Sequence, residues 1–163
     1  MQNYEAKKPS YFATPSPQLV HALHTALTQI LTKPLAERFA KHREVSDRVK
    51  QTVASLGLKQ VAANPDDQAH GMTAIYLPEG VKAAELLPSL AKKGVVWAGG
   101  IHKEIAPKYV RFGHMGVSVV SSPQFYLLQK ITHHSQLNPE RGDIDRALKA
   151  LEDGLFECGY KKA

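Results

Sequence analysis

Apolar positions early in the chain recur at three-and-four spacing. Leu19, Val20, Leu23, Leu27, Ile30 and Leu31 make one stripe. Ser16 precedes it as a side-chain cap, and Pro17 takes the first helical position, where its missing donor costs nothing. Pro34 interrupts this helix. A second is predicted from about Leu35, with Phe39, Val45, Val49, Val53 and Leu56 facing inward and Gly57 as a left-handed stop. Beyond Gly57 the pattern shortens. Leu58 to Ala62 and Met72 to Leu77 read as strands, the latter closed by Pro78-Glu79-Gly80. Ala83, Leu86, Leu87 and Leu90 predict a helix ended at Gly94. Val95 to Trp97 and Tyr109 to Phe112 read as further strands, and Ile144, Ala147, Leu148, Leu151 and Leu155 mark a last helix from Asp143. Residues 1–14 carry no helical period and suit an extended arm. Two helices followed by strands mixed with helices give a small α+β domain on a helical stem.

The 163 residues suffice for one domain, and 43% hydrophobic with 22% charged residues allow an ordinary core. No run approaches the roughly 18 apolar residues of a membrane span. The opening MQNYEAKKPSYF has no apolar h-region and does not read as a signal peptide. Cys158, the single cysteine, cannot form an internal disulfide. A net charge of +6 raises the question of nucleic acid. The basic residues are scattered, however, with only short pairs and no aromatic-interleaved stripe, so a solvated basic surface is the better reading. His21 and His24 lie three apart on a helix and His133-His134 are adjacent, but no third ligand has metal-site spacing. No metal is expected.

Chemistry enters through four stretches. They are Pro9-Ser10-Tyr11-Phe12-Ala13-Thr14-Pro15, Ala40-Lys41-His42-Arg43 with Glu44, the Gly99-Gly100 pair, and Val110-Arg111-Phe112-Gly113-His114-Met115-Gly116. Each alone is a weak signal; in this order and spacing they resemble the carboxy-terminal part of the alanine–glyoxylate (class V) aminotransferases. The resemblance covers the chain except for about residues 120–137. It implies the small carboxy-terminal domain of a fold-type-I pyridoxal-phosphate enzyme, with a short, mostly antiparallel sheet covered by helices. The corresponding division is an interface arm at 1–15, a stem helix at 16–33 linking to a large domain, and the small α+β domain at 34–163.

The same resemblance implies a homodimer with its active site between subunits, in which Tyr11 and Thr14 give hydroxyls to the neighbouring subunit's cofactor phosphate. Neutral hydroxyls add short donors to a phosphate without extra charge. On residue type alone, Tyr11 would pack in a core and Thr14 would open a turn before Pro15. Arg111 is implied to grip the substrate carboxylate, since a planar guanidinium offers two parallel donors where lysine offers a point charge. Val110 and Phe112 alternate to one strand face, which puts Tyr109 and Arg111 on the other. An arginine there is more often simply solvated. Gly99, Gly100 and Gly113 would let the backbone pass close to substrate, or are ordinary turn glycines.

Transamination also needs a lysine bound covalently to the cofactor, a carboxylate on the pyridinium nitrogen and an aromatic ring stacked on it. The family carries all three upstream of the stretch matching Tyr11. No catalytic residue is therefore expected in this chain, which reads as a fragment that contributes to pyridoxal phosphate binding in trans but does not hold it alone. Alanine or serine as amino donor and glyoxylate or another 2-oxo acid as acceptor are the implied substrates. Val120 to Leu137, with the apolar run Phe125 to Leu128, has no family counterpart. It is either a retained short intron or a lineage-specific insertion, which loops tolerate at modest entropic cost. A rival reading is a stand-alone regulatory or ligand-binding module of ferredoxin-like type. Lys161-Lys162-Ala163 departs from the peroxisomal Ser-Lys-Leu type at two positions, and leaves peroxisome, mitochondrion and cytosol open.

Overall fold

The computed structural model describes residues 2–10, 14–116, 119 and 143–162. Tyr11, His133, His134 and the segment 120–137 lie outside the described residues. The chain divides into two compact units, Met1–Leu35 and Ala36–Ala163.

In the first unit, α1 (Gln2–Glu5) is a single turn. It corrects the extended reading of the first residues: Ala6 N–H closes on Gln2 O at 3.0 Å, a local bond that needs no apolar period because the turn buries nothing. Helix α2 (Pro17–Ile30) starts as its sequence predicts, with the Ser16 hydroxyl accepting from Leu19 N–H and Pro17 in the first turn. Its stripe of Leu19, Val20, Leu23 and Leu27 lies exposed, and no residue of α2 is buried.

The second unit holds the core. Helix α3 (Leu35–Ser55) buries Val45, Ser46, Val49 and Val53 on one face. Phe39 was expected on that face but is 65% exposed, so the inward stripe begins a turn and a half later than its periodicity suggests. Gly57 takes φ +73°, and Leu58 N–H reaches back to Val53 O, which stops the helix. That bond also explains a second correction. The predicted strand from Leu58 to Ala62 is reduced to one bridge, Gln60 opposite Ile75, because its first residue still belongs to the helix stop.

Strand β1 (Met72–Tyr76), helix α4 (Ala83–Lys92), strand β2 (Ala98–Gly99), strand β3 (Tyr109–Gly113) and helix α5 (Asp143–Glu157) follow. Val95 N–H likewise turns back to Leu90 O, so β2 starts only after the predicted Val95 to Trp97. The sheet has order β1-β3-β2 and is antiparallel throughout, with Ala74 and Ala98 flanking Arg111 on either side of β3. This is the short antiparallel sheet with helices that the α+β reading expects.

One face of the sheet supplies Ile75, Val110 and Phe112 to the core. Leu86 and Leu90 of α4, and Ile144, Leu148, Leu151 and Leu155 of α5, complete it with the α3 valines. Two polar ties hold the helices in register: Arg48 of α3 pairs with Asp145 of α5 at 3.1 Å, and Ser89 with Lys93 bonds Glu157. The Lys93 ammonium, then the Ser89 hydroxyl, hold the Glu157 carboxyl below its usual range. Beyond α5, the Tyr160 hydroxyl donates to Leu56 O at 2.6 Å and pins the tail to the end of α3. Tyr160→Phe keeps the ring and loses only this bond. It should lower stability by about 1 kcal/mol, read as an earlier urea midpoint by circular dichroism; an unchanged midpoint would mean the bond contributes nothing. Among the described residues, no helix is long and apolar enough to cross a membrane.

Candidate functional site

Arg111 is the third residue of β3, and the sheet surrounds it. Its neighbours Val110 and Phe112 turn into the core, which commits Arg111 to the opposite face. The side chain is half-buried, and its Nε–H donates to Gly99 O at 2.8 Å. Among the described residues nothing bonds the two terminal nitrogens of the guanidinium. The result is a charged fork fixed at its root, with no partner at its tip among the described residues.

Tyr109 occupies the same face two residues earlier and is 5% exposed. Its hydroxyl oxygen accepts from Ile101 N–H at 2.9 Å and from His102 N–H at 3.2 Å. These amides favour the phenolate, Ile101 more than His102, and hold the hydroxyl below the usual tyrosine range. The face opposite the core is thus built and not merely wet, which periodicity alone does not reveal.

At the other end of the strand, His114 is fully buried. Its Nε2 shares a hydrogen bond with the Thr73 hydroxyl at 2.8 Å, and its ring lies 5.6 Å from that of Phe112. Burial lowers its pKa to about 4, with a smaller push from neighbouring Lys50, His42 and His70. His42 reaches the same loop from α3. Its Nε2 accepts from Gly116 N–H at 3.1 Å, which leaves Nδ1 as the donor to Arg38 O at 2.8 Å. The Ala40–Arg43 stretch and the Val110–Gly116 stretch therefore meet in space. Neither histidine stood out by spacing; only membership of those stretches pointed to them. A cavity of about 700 Å³ opens beside them, lined by Ala36, Arg38, Phe39, His42, Arg43 and His70 among others, and Arg111 is not part of its wall.

Thr14 is exposed, in the first unit, on a stretch with no helix or strand. A threonine hydroxyl suits a phosphate oxygen in donor chemistry, and the terminal nitrogens of the Arg111 guanidinium suit a carboxylate. Among the described residues, no group of three or more His, Cys, Asp or Glu side chains could hold a metal ion. Burial raises the Cys158 thiol above its usual range, against an activated thiolate.

No family model matches the chain. Individual proteins do. It is 44% identical over 129 residues to alanine–glyoxylate aminotransferase 1 of Saccharomyces cerevisiae, a match covering 78% of this chain and 33% of that protein. It is 31% identical to serine–glyoxylate aminotransferase of Methylorubrum extorquens, covering 63% of this chain and 26% of that one. Among solved structures, pyridoxamine–pyruvate aminotransferase of Mesorhizobium loti superposes with a TM-score of 0.75 at 24% identity, covering 99% of this chain and 36% of that one. Alanine–glyoxylate aminotransferase of a Nostoc species superposes at 0.67 and 23%, covering 90% and 33%. At such identities the structural likeness shows the fold. The chain spans about a third of the length of the relatives it matches. A free-standing ferredoxin-like module is not favoured. In sequence and in fold, the chain corresponds to a carboxy-terminal third of the class V glyoxylate aminotransferases.

Proposed function

We propose that this chain serves as the carboxy-terminal part of a pyridoxal-phosphate transaminase that moves an amino group from alanine (or serine) to glyoxylate or another 2-oxo acid. The observation that carries the reading is Arg111, with Nε fixed on Gly99 O and no partner for its terminal nitrogens among the described residues. Amino donor and oxo acceptor share only a carboxylate next to the reacting carbon. One rigid fork can hold both in the same orientation.

Pyridoxal phosphate, when bound, supplies the electron sink that makes amino transfer possible. Tyr11 and Thr14 would give hydroxyls to its phosphate in the partner subunit of a homodimer. The exposed stripe of α2 fits a stem whose apolar face is covered by a larger domain, since a contiguous exposed apolar face marks a contact surface.

Alone, the chain is expected neither to retain pyridoxal phosphate through dialysis nor to turn over alanine with glyoxylate. Joined behind the first two thirds of the yeast relative, it should restore that turnover. A folded chimera that retains the cofactor but stays inactive would overturn the reading, as would turnover by the chain alone.

A further inference from the structure

We infer that Tyr109 and Gly100 are positioning residues that aim Arg111, so that a substrate carboxylate meets the guanidinium end-on through its two terminal nitrogens. The inference rests on the reading of Arg111 as the carboxylate grip, and adds which residues set its direction. Tyr109 and Arg111 are two apart on β3 and share a face. Between β2 and β3 the chain makes a loop from Gly100 to Lys108. Its start is held by the Tyr109 hydroxyl, which accepts the Ile101 and His102 amides together.

Gly100 lets the loop close on the ring. A Cβ there would stand 2.4 Å from Ala106 O, 2.5 Å from Tyr109 Cε1 and 2.7 Å from Ala106 Cα. Two of those atoms are backbone, so no side chain could swing aside to make room. The requirement is space, since Gly100 is not among the glycines with positive φ. With Gly100 on the ring and Ile101 on its hydroxyl, the preceding residue has little freedom. That residue is Gly99, whose carbonyl accepts the Arg111 Nε–H at 2.8 Å.

A guanidinium can offer a carboxylate two kinds of paired edge: Nε with one terminal nitrogen, or the two terminal nitrogens together. Gly99 O occupies the first. The second remains, with no partner among the described residues. Loosening the loop would free Nε and give the carboxylate two docking directions instead of one. In an enzyme that must present two substrates identically, that would cost reactive geometry before it cost charge.

The chain itself, labelled with ¹⁵N, is the material for the test. The Arg111 Nε–H resonance is assigned by its loss in Arg111→Lys, and exchange with solvent is measured for it and for the Ile101 and His102 amides. Tyr109→Phe keeps the ring and removes the acceptor. It should speed exchange at all three sites by about tenfold or more, while Val110 and Phe112 amides keep their protection. Gly100→Ala should move the same three resonances. In the unaltered chain, urea below the unfolding transition should release the three protons together, a measurement that needs no variant to fold. The inference is overturned if Tyr109→Phe frees the Ile101 and His102 amides but leaves Arg111 Nε–H within about twofold of its original rate. It is equally overturned if urea releases Arg111 separately. Pyruvate, added last, should shift the terminal nitrogens and leave Nε on Gly99. If Arg111 follows Tyr109 but pyruvate moves nothing, the positioning stands and the carboxylate role fails.

Discussion

Lowering the pH from 6.5 to 4 should remove about 3 kcal/mol of folding stability through His114 alone. The imidazole is fully buried, so charging it means desolvating a cation, and Lys50, His42 and His70 add repulsion. Its Nε2 is engaged by Thr73, and its Nδ1 is buried with no partner among the described residues. The folded pKa, about 4, lies below the unfolded value, 6.5. The unfolded chain therefore takes up the proton first as pH falls. Stability is intact above 6.5, declines through the window, and the decline ends near 4. Urea titrations at several pH values, on the original chain and on His114→Leu, separate this group from carboxylates that titrate in the same range. His114→Leu strands the Thr73 hydroxyl and should be weaker at neutral pH by about 1–3 kcal/mol. Its dependence on pH should nevertheless be flatter. Parallel curves for the two proteins would show that His114 does not titrate as described.

Arg111→Lys in the active chimera should raise KM for both the amino acid and the oxo acid by roughly 10–100-fold, the loss of one charge-assisted hydrogen bond of about 1.5–3 kcal/mol. The charge survives; the second parallel donor and the anchor on Gly99 do not. Cofactor retention should not change. Thr14→Ala and Tyr11→Phe should do the reverse, loosening the cofactor and sparing KM. Steady-state kinetics with either substrate varied, beside dialysis of bound cofactor, distinguish the two patterns. An Arg111→Lys enzyme that sheds its cofactor while KM stays put would show that the roles are misassigned.

The helices were the legible part of this fold. The stripe from Ile144 to Leu155 is buried at each position that its spacing predicts, because α5 packs through one face along its whole length. The strands were less legible. Leu58 and Val95 are apolar and look like strand residues, yet each gives its amide back to the helix before it. A glycine stop and a strand start compete for the same N–H, and composition does not say which wins. Phe39 misled for a different reason: among the described residues, nothing packs over the first turns of α3 closely enough to bury it.

In the candidate site, the strand face that Arg111 takes was legible from its alternation with Val110 and Phe112. The partner of its Nε was not, since it is a backbone carbonyl with no residue-type signature. Tyr109 was placed on the right face, but its role depends on two amides of a loop that the alternation of β3 does not encode. His114 was visible only as a letter of the motif. Its burial follows from the sheet register, which sets Gly113 opposite Met72 and brings Thr73 within reach.

Trp97 stacks on Phe112 with ring centroids 4.4 Å apart and planes 8° from parallel. It is also the chain's single tryptophan. Tryptophan fluorescence of this protein, excited selectively over its tyrosines, is therefore a one-residue optical gauge mounted against the back of the strand that carries Arg111. Buried indole emits to the blue of solvated indole, so any rearrangement that prises β3 from its helices should register as a red shift without an added label. Whoever screens variants of the neighbouring loop has a spectroscopic check on strand integrity already built into the polypeptide.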